Sequence, residues 1–306
     1  MTSATIVICT RNRPQSLRRC LERLHELGHP HDVLVVDNAS DSAETRQVAE
    51  AAGVRYVREP LVGVNRARNL GGREVTSDVV VYLDDDAVPS ETWLPNVLKE
   101  FDDPRVMAAG GRIIPGEEGR PDTSEAALIS GYDCGPRRLV VDRDASEWLE
   151  CACFGGLGNG ANMAFRRSAF DGGDVFDERI GYGTPVRGFG DHSGFFRVVS
   201  QGGRAVYAPD AIVFHRVEGT IDEQRAKRIR GVKAWSAWLL LLAVEYPQYR
   251  RLLFRYVRGA VFGARRDWRP PGPSLGVSRW RAMLAVLVGP LLYIRIRAQK
   301  AREAAL

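Results

Sequence analysis

The chain has 306 residues, 44% hydrophobic and 26% charged, values that exclude a disordered chain and allow one large domain or two small ones with a sizeable core. Its net charge of +5 hides an asymmetry: residues 225–306 carry 18 Lys or Arg against three acids (Glu245, Asp267, Glu303), a net of +15, so the first 224 residues carry −10. The five cysteines (Cys9, Cys20, Cys134, Cys151, Cys153) form no even framework, and Cys151-x-Cys153 lacks a second pair at zinc spacing, so they read as reduced thiols.

Ala4–Cys9 is a short apolar run rich in β-branched residues and predicts a strand. No basic segment followed by a long apolar stretch precedes it, which argues against a secretory leader and for a cytoplasmic location. Thr10-Arg11-Asn12-Arg13-Pro14 then forms a loop into a helix, with Leu17, Cys20, Leu21 and Leu24 on one face. Residues 32–37 predict a second strand, 42–52 a helix and 55–59 a weaker third strand. Residues 63–77 predict a loop and helix, with Asn69 and Gly71-Gly72 as soft spots, and 79–83 a fourth strand. Strands alternating with helices imply a parallel α/β sheet, whose ligands bind beyond the carboxyl ends of the strands. Thr10-Arg11-Asn12, Asp37-Asn38 and Asp84-Asp85-Asp86 all lie at such ends and read as one site.

Residues 105–114 predict another strand, and 115–150 a variable loop region. Residues 154–170 read as glycine-dense and then helical, without the strand that a dinucleotide fingerprint requires. Residues 191–203 predict a helix, and 204–217 two short strands ending at His215. From about Arg225 the pattern becomes long helices. Residues 234–244 and 282–294 are uncharged apolar stretches too short for an ordinary span of about 20 residues. Arg251, Arg255 and Arg258 share a helical face between them, and residues 269–273 (RPPGP) split the region in two.

Three adjacent carboxylates at the end of a buried strand disfavour one another's ionisation. A divalent metal is the simplest positive partner. The order VICTRNRP, VLVVDNASD, GVNRARNLG, YLDDDAVP, GNGANMAFRR, a Gly-Asp helix start and YAPDAIVFHR resembles the family 2 glycosyltransferases over residues 4–217.

The resemblance implies a GT-A, Rossmann-like α/β fold: a catalytic domain over 1–220, with a nucleotide-sugar half (1–114) and an acceptor half (115–220). A basic helical extension over 221–306 lies outside the resemblance. It implies an inverting, metal-dependent transfer of a sugar from a nucleotide-diphosphate donor, UDP or dTDP favoured, to an acceptor hydroxyl. Glycan, cell-envelope or glycolipid synthesis is the implied setting, with a carbohydrate or lipid-linked acceptor. Asp84-x-Asp86 resembles the DxD motif. It places Asp84 and Asp85 with the donor, and Asp86 and His215 on Mg²⁺ or Mn²⁺. Thr10, Arg11, Asp37 and Arg68 fall at donor-binding positions, with Asp37 accepting from the base.

Asp191 falls at the position of the catalytic base. Asn159, Gly160, Asn162 and His192 are candidates for the acceptor side, and Trp93 and Trp148 for stacking on a sugar. Gly190 and Ser193 stand where many relatives have acids. That departure supports one rival, a degenerate homologue that binds without turnover. A nucleotidyltransferase is a second, opposed by the absence of glycine from the first loop. The basic tail reads two ways, as helices lying on an anionic membrane at the inner face of the cell membrane or as an ordinary subdomain packed on the core. Nucleic acid is not an expected partner, since no recognition motif accompanies the charge.

Overall fold

The computed structural model describes residues 2–28, 31–130, 133–262 and 277–303. The first half follows the expected alternation: β1 (Ala4–Thr10), α1 (Pro14–Glu26), β2 (Asp32–Asn38), α2 (Glu44–Ala51), β3 (Arg55–Glu59), α3 (Val64–Glu74) and β4 (Val79–Leu83). Then come β5 (Ala87–Pro89), α4 (Trp93–Lys99), β6 (Val106–Glu117), β7 (Arg120–Pro121), α5 (Glu125–Ser130), β8 (Leu139–Val141), α6 (Trp148–Phe154), β9 (Asn162–Arg166), α7 (Gly190–Ser200) and β10 (Arg204–His215). The chain continues through α8 (Ile221–Glu245), α9 (Arg250–Phe262) and α10 (Arg279–Glu303).

The main sheet runs β3-β2-β1-β4-β9-β6-β10-β5. β1 to β4 are parallel, β6 and β10 keep that direction, and β9 and β5 run against it. The carboxyl ends of β1, β2 and β4 therefore share one edge, as the alternation requires.

Several local expectations change. Residues 162–166 are a strand, not a helix: β9 sits between β4 and β6, where only extended backbone satisfies both ladders. Residues 204–215 form one strand with a register shift between Ala208 and Ile212, not two strands. The region 115–150 holds β7, α5, β8 and the start of α6 rather than loop alone. α3 runs unbroken through its supposed soft spots. Gly71 and Gly72 let it press onto Val7 and Phe170, which a Cβ would meet at 2.6 and 2.2 Å, and Asn69 binds the Phe176 backbone through both amide atoms. The five cysteines are unpaired, and burial pushes the Cys9 thiol up to about 12.

Apolar residues cover both sheet faces. One cluster joins α1, α2 and α4 to β1 and β4, with Trp93 fully buried. The other lies under α3, α6 and α7 and continues without a break into α8, α9 and α10. α8 begins at a capping box, in which the Thr220 hydroxyl accepts from the Glu223 N–H and the Glu223 carboxylate from the Thr220 N–H. Trp238 of α8 is buried and donates to the Cys153 carbonyl at 3.1 Å. Trp148, Phe196 and Tyr249 pack around the same seam. Thus the first apolar stretch of the tail, 234–244, is core. The 269–273 break lies outside the described residues.

Trp238→Ala is expected to cost about 3–5 kcal/mol, the range for a truncated buried aromatic side chain. Urea unfolding checks it, and a cost below about 1 kcal/mol would show that the tail is not docked through this residue.

Candidate active site

The shared edge opens into a cavity of about 990 Å³. Its lining includes Thr10 and Arg11 after β1, Asn38 at the end of β2, Arg68 on α3 and Asp84, Asp85 and Asp86 after β4. Asn159, Gly160, Asp191, His192 and His215 line it too. Residues far apart in sequence meet here because parallel strands end together.

Asp85 and Asp86 are locked oxygen by oxygen. Thr10 Oγ1 donates to Asp85 Oδ2 at 2.5 Å. Arg13, at the N-cap of α1, reaches Asp85 Oδ1 at 2.9 Å and Asp86 Oδ2 at 2.5 Å. His215 Nε2 stands 3.0 Å from Asp86 Oδ1. Burial pushes Asp85 up to about 7, against the lowering pull of Arg13 and Thr10. Burial also raises Asp84, with Arg68 opposing. At Asp86 burial acts in the same direction, but His215 and then Arg13 outweigh it and hold the carboxyl below the usual range. Arg13 gave no sequence signal beyond its place in a basic loop.

Asp84, Asp86 and His215 bring one ligand atom each within 4.8 Å of one another. The hydrogen bonding at His215 tests whether a cation fits. Its Nδ1 lies 2.9 Å from the Arg216 carbonyl, an acceptor only, so Nδ1 carries a proton. In neutral imidazole the Nε2 lone pair then faces the Asp86 carboxylate. Two acceptors at 3.0 Å need a proton or a metal ion between them. Ligands about 2.1 Å from a small octahedral cation stand roughly 3 Å apart, so the residues fit a hard divalent ion.

Asp191 sits in the first turn of α7, where the helix dipole favours an anion. Its Oδ2 accepts from the Gly160 N–H at 2.9 Å, and its Oδ1 from the His192 N–H at 2.9 Å and from His192 Nδ1 at 2.7 Å. Burial raises its pKa, but His192 and then Arg68 outweigh that and keep it below the usual range. Arg68 is 7% exposed and packs close against Gly160, whose added Cβ would sit 2.0 Å from the guanidinium. That close approach accounts for glycine at 160.

Not every sequence candidate reaches the cavity. Asn162 is fully buried; it accepts from Trp93 Nε1 and donates to the Arg112 and Ala211 carbonyls, so it ties strands together. Trp93 and Trp148 are core residues, not sugar platforms. Asp37 is 1% exposed, and its oxygens accept from the Ser40 N–H, the Tyr56 hydroxyl and Arg58. Gly190 and Ser193 also have structural reasons. A Cβ on Gly190 would meet Asn65 Oδ1 at 2.6 Å, and the Ser193 hydroxyl donates to the Gly190 carbonyl and accepts from the Asp177 N–H. Asn65 and the 177–180 turn thus fill the space where an acid would stand.

Sequence reasoning also missed Gln224, Lys227 and Arg230. They lie on α8, beyond the recognisable motifs, yet line the cavity.

The profile of glycosyl transferase family 2 matches residues 5–171, more than half of the chain. The chain belongs to glycosyl transferase family 2. Among curated relatives, a pre-mycofactocin glycosyltransferase of Mycobacterium tuberculosis is 30% identical over 216 residues, covering 69% of this chain and 42% of that protein. The chain therefore spans less than half the length of that relative. A glucosyl-dolichyl phosphate glucuronosyltransferase of Haloferax volcanii is 26% identical over 235 residues, 70% of this chain and 69% of that protein. Among solved structures, S. aureus TarS aligns with a TM-score of 0.51 at 13% identity, over 78% of this chain and 40% of that one. That likeness concerns the fold, which is GT-A with added C-terminal helices.

The His215–Asp86 pair sets a pH test. Burial lowers the His215 pKa, but the hydrogen bond and charge of Asp86 outweigh it, and the net shift is upward. The pair's contribution to stability is therefore complete below the unfolded value of about 6.5 and lost as pH rises through the raised folded value. A divalent ion held between the two side chains would replace the shared proton. Mn²⁺ should thus raise the melting temperature more at about pH 8 than at about pH 6, and Asp86→Asn should abolish the increment. An equal Mn²⁺ effect on both proteins would remove Asp86 from the ligand set.

Proposed function

We propose that the protein is a metal-dependent glycosyltransferase. It moves a sugar from a nucleotide-diphosphate donor, of a uridine or thymidine nucleotide, to an acceptor hydroxyl with inversion. One observation carries this reading: Asp84, Asp86 and His215 converge in the same cavity as Asp191. A metal-ligand set beside a separate, partly buried carboxylate suits a single displacement, with a diphosphate leaving one face and a hydroxyl arriving at the other. A degenerate, non-catalytic homologue is disfavoured because the Gly190 and Ser193 departures are accommodated around an intact Asp191. Family membership also counts against a nucleotidyltransferase.

Thr10, Arg11, Arg68, Asp84 and Asp85 would bind the donor, with Asp37 behind them holding Tyr56 and Arg58 at the end of β2. Asp84, Asp86 and His215 would hold Mg²⁺ or Mn²⁺, which when bound offsets the charge of the leaving diphosphate. The acceptor hydroxyl gives its proton to Asp191 while its oxygen bonds to the anomeric carbon. The bond from that carbon to the diphosphate oxygen breaks in the same step, and the electron pair leaves with the diphosphate. Asn159, Gly160 and His192 stand on the acceptor side. Gln224, Lys227 and Arg230 add a polar, cationic wall suited to phosphate. One relative is named for transfer to a dolichyl-phosphate-linked sugar, which supports a lipid-linked acceptor beside a carbohydrate one.

A second reading of the base rests on the bonding of Asp191. Both its oxygens already accept from the chain's own donors. The bond from His192 Nδ1 leaves Nε2 as the acceptor of a neutral ring that lines the cavity. The proton would then pass to Nε2, with Asp191 stabilising the imidazolium.

With a uridine or thymidine diphosphate sugar and Mn²⁺, Asp191→Asn should lower kcat by about 10²–10⁴, while His192→Gln keeps most of it. Equal losses in both variants would favour the second reading, and undiminished turnover by Asp191→Asn would sink the first. Excess chelator should abolish turnover and also the donor-nucleotide shift in melting temperature. A diphosphate shift that survives chelation would separate donor binding from the metal.

A further inference from the structure

The proposed activity leaves the tail's second apolar stretch unused. The first, in α8, is consumed by the core: Ala234, Ala237, Trp238, Leu241 and Leu242 are all buried. α10 differs. Its inner face packs on α8 through Ala285, Tyr293 and Ile296. The crossing is tight at Gly289, whose added Cβ would lie 1.8 Å from Ser236 Oγ, and Tyr293 reaches Glu245 at 3.3 Å. The helix is therefore fixed in orientation, and its outer face is a built surface.

That outer face is apolar. Trp280, Leu284, Leu287, Leu291 and Ile294 are 59–75% exposed. Their spacing of four, three, four and three residues aligns them in one stripe, about 20 Å long at the helical rise per residue. An aligned, exposed row of large side chains marks an interaction surface. Its charge identifies the occupant. Arg281, Arg295 and Arg297 stand exposed on the same helix, and no acid occurs between Arg279 and Glu303. A second copy seated on the stripe would bring arginine toward arginine with no carboxylate to pair. No helix among the described residues is long and apolar enough to cross a membrane. A tryptophan-bearing apolar stripe with only cations beside it matches a helix lying in the interfacial plane of an anionic bilayer.

We propose that the outer face of α10 docks the protein on an anionic lipid surface, with the stripe among the acyl chains and the arginines at the headgroups. The inference is independent of the proposed reaction. The test is co-sedimentation of the full chain with phosphatidylcholine vesicles and with vesicles that also contain phosphatidylglycerol. Binding is expected only to the anionic vesicles and should weaken with salt. Leu287→Glu with Leu291→Glu should abolish it. Arg295→Gln and Arg297→Gln should each weaken it about five-fold, from roughly 1 kcal/mol per basic residue near an anionic surface. Because these side chains are exposed, melting temperatures and donor-nucleotide binding should not change. Failure to bind anionic vesicles, or binding that survives the Leu→Glu pair, overturns the proposal. So does a dimer in light scattering that the pair dissolves, which would assign the stripe to a second copy.

Discussion

The repulsion among Asp84, Asp85 and Asp86 is the constraint on which the rest of the site depends. Three carboxylates at the end of a buried strand stand only if each meets a positive or donating group. Thr10 and Arg13 bring the loop after β1 to Asp85 and Asp86, and His215 brings the end of β10 to Asp86. The same contacts therefore fix three chain segments around the cavity. Arg68 completes the arrangement by lying between two acidic regions, opposing the rise of Asp84 and helping to hold Asp191 ionised. Charge balance and strand-end placement act together, since neither alone would hold the cluster in this form.

The parallel half of the fold was legible because its signals are local. Short β-branched runs, amphipathic helices and polar strand ends follow directly from period and composition, and α1 buries the four residues its spacing indicates. The failures share a physical cause. β9 was misread because its strand character comes from two neighbours that a single segment cannot display. β10 was divided because a register shift within one strand resembles a turn in the sequence. Asn162 looked like a ligand residue because its motif lies beside the site, but its amide faces inward and closes the hydrogen bonding between strands.

The site was partly legible for a related reason. Carboxylates and histidine at strand ends announce chemistry by type and position, so Asp84, Asp86, Asp191 and His215 were readable as candidates. Arg13, Gln224, Lys227 and Arg230 were not, because arginine, lysine and glutamine are common on solvated helices and only tertiary placement distinguishes a lining residue. Gly190 and Ser193 show the converse. They looked like losses beside a motif, whereas the backbone shows Asn65 and the 177–180 turn occupying that volume.

The tail ties these observations together. α8 begins at a cavity wall, passes through the aromatic seam at Trp238 and ends against α10. A helix held at both ends transmits position better than it transmits motion, since its backbone bonds are all internal. Whatever holds the outer face of α10 therefore also orients the cavity, through one rigid element rather than a flexible linker. The positive charge of residues 225–306 thus includes two groups that stand in different places. Lys227 and Arg230, on the early turns of α8, line the cavity, and Arg281, Arg295 and Arg297 stand beside the apolar stripe on α10. A single count of charge in the sequence merges these two populations, and only the packing of α8 between them separates the one from the other.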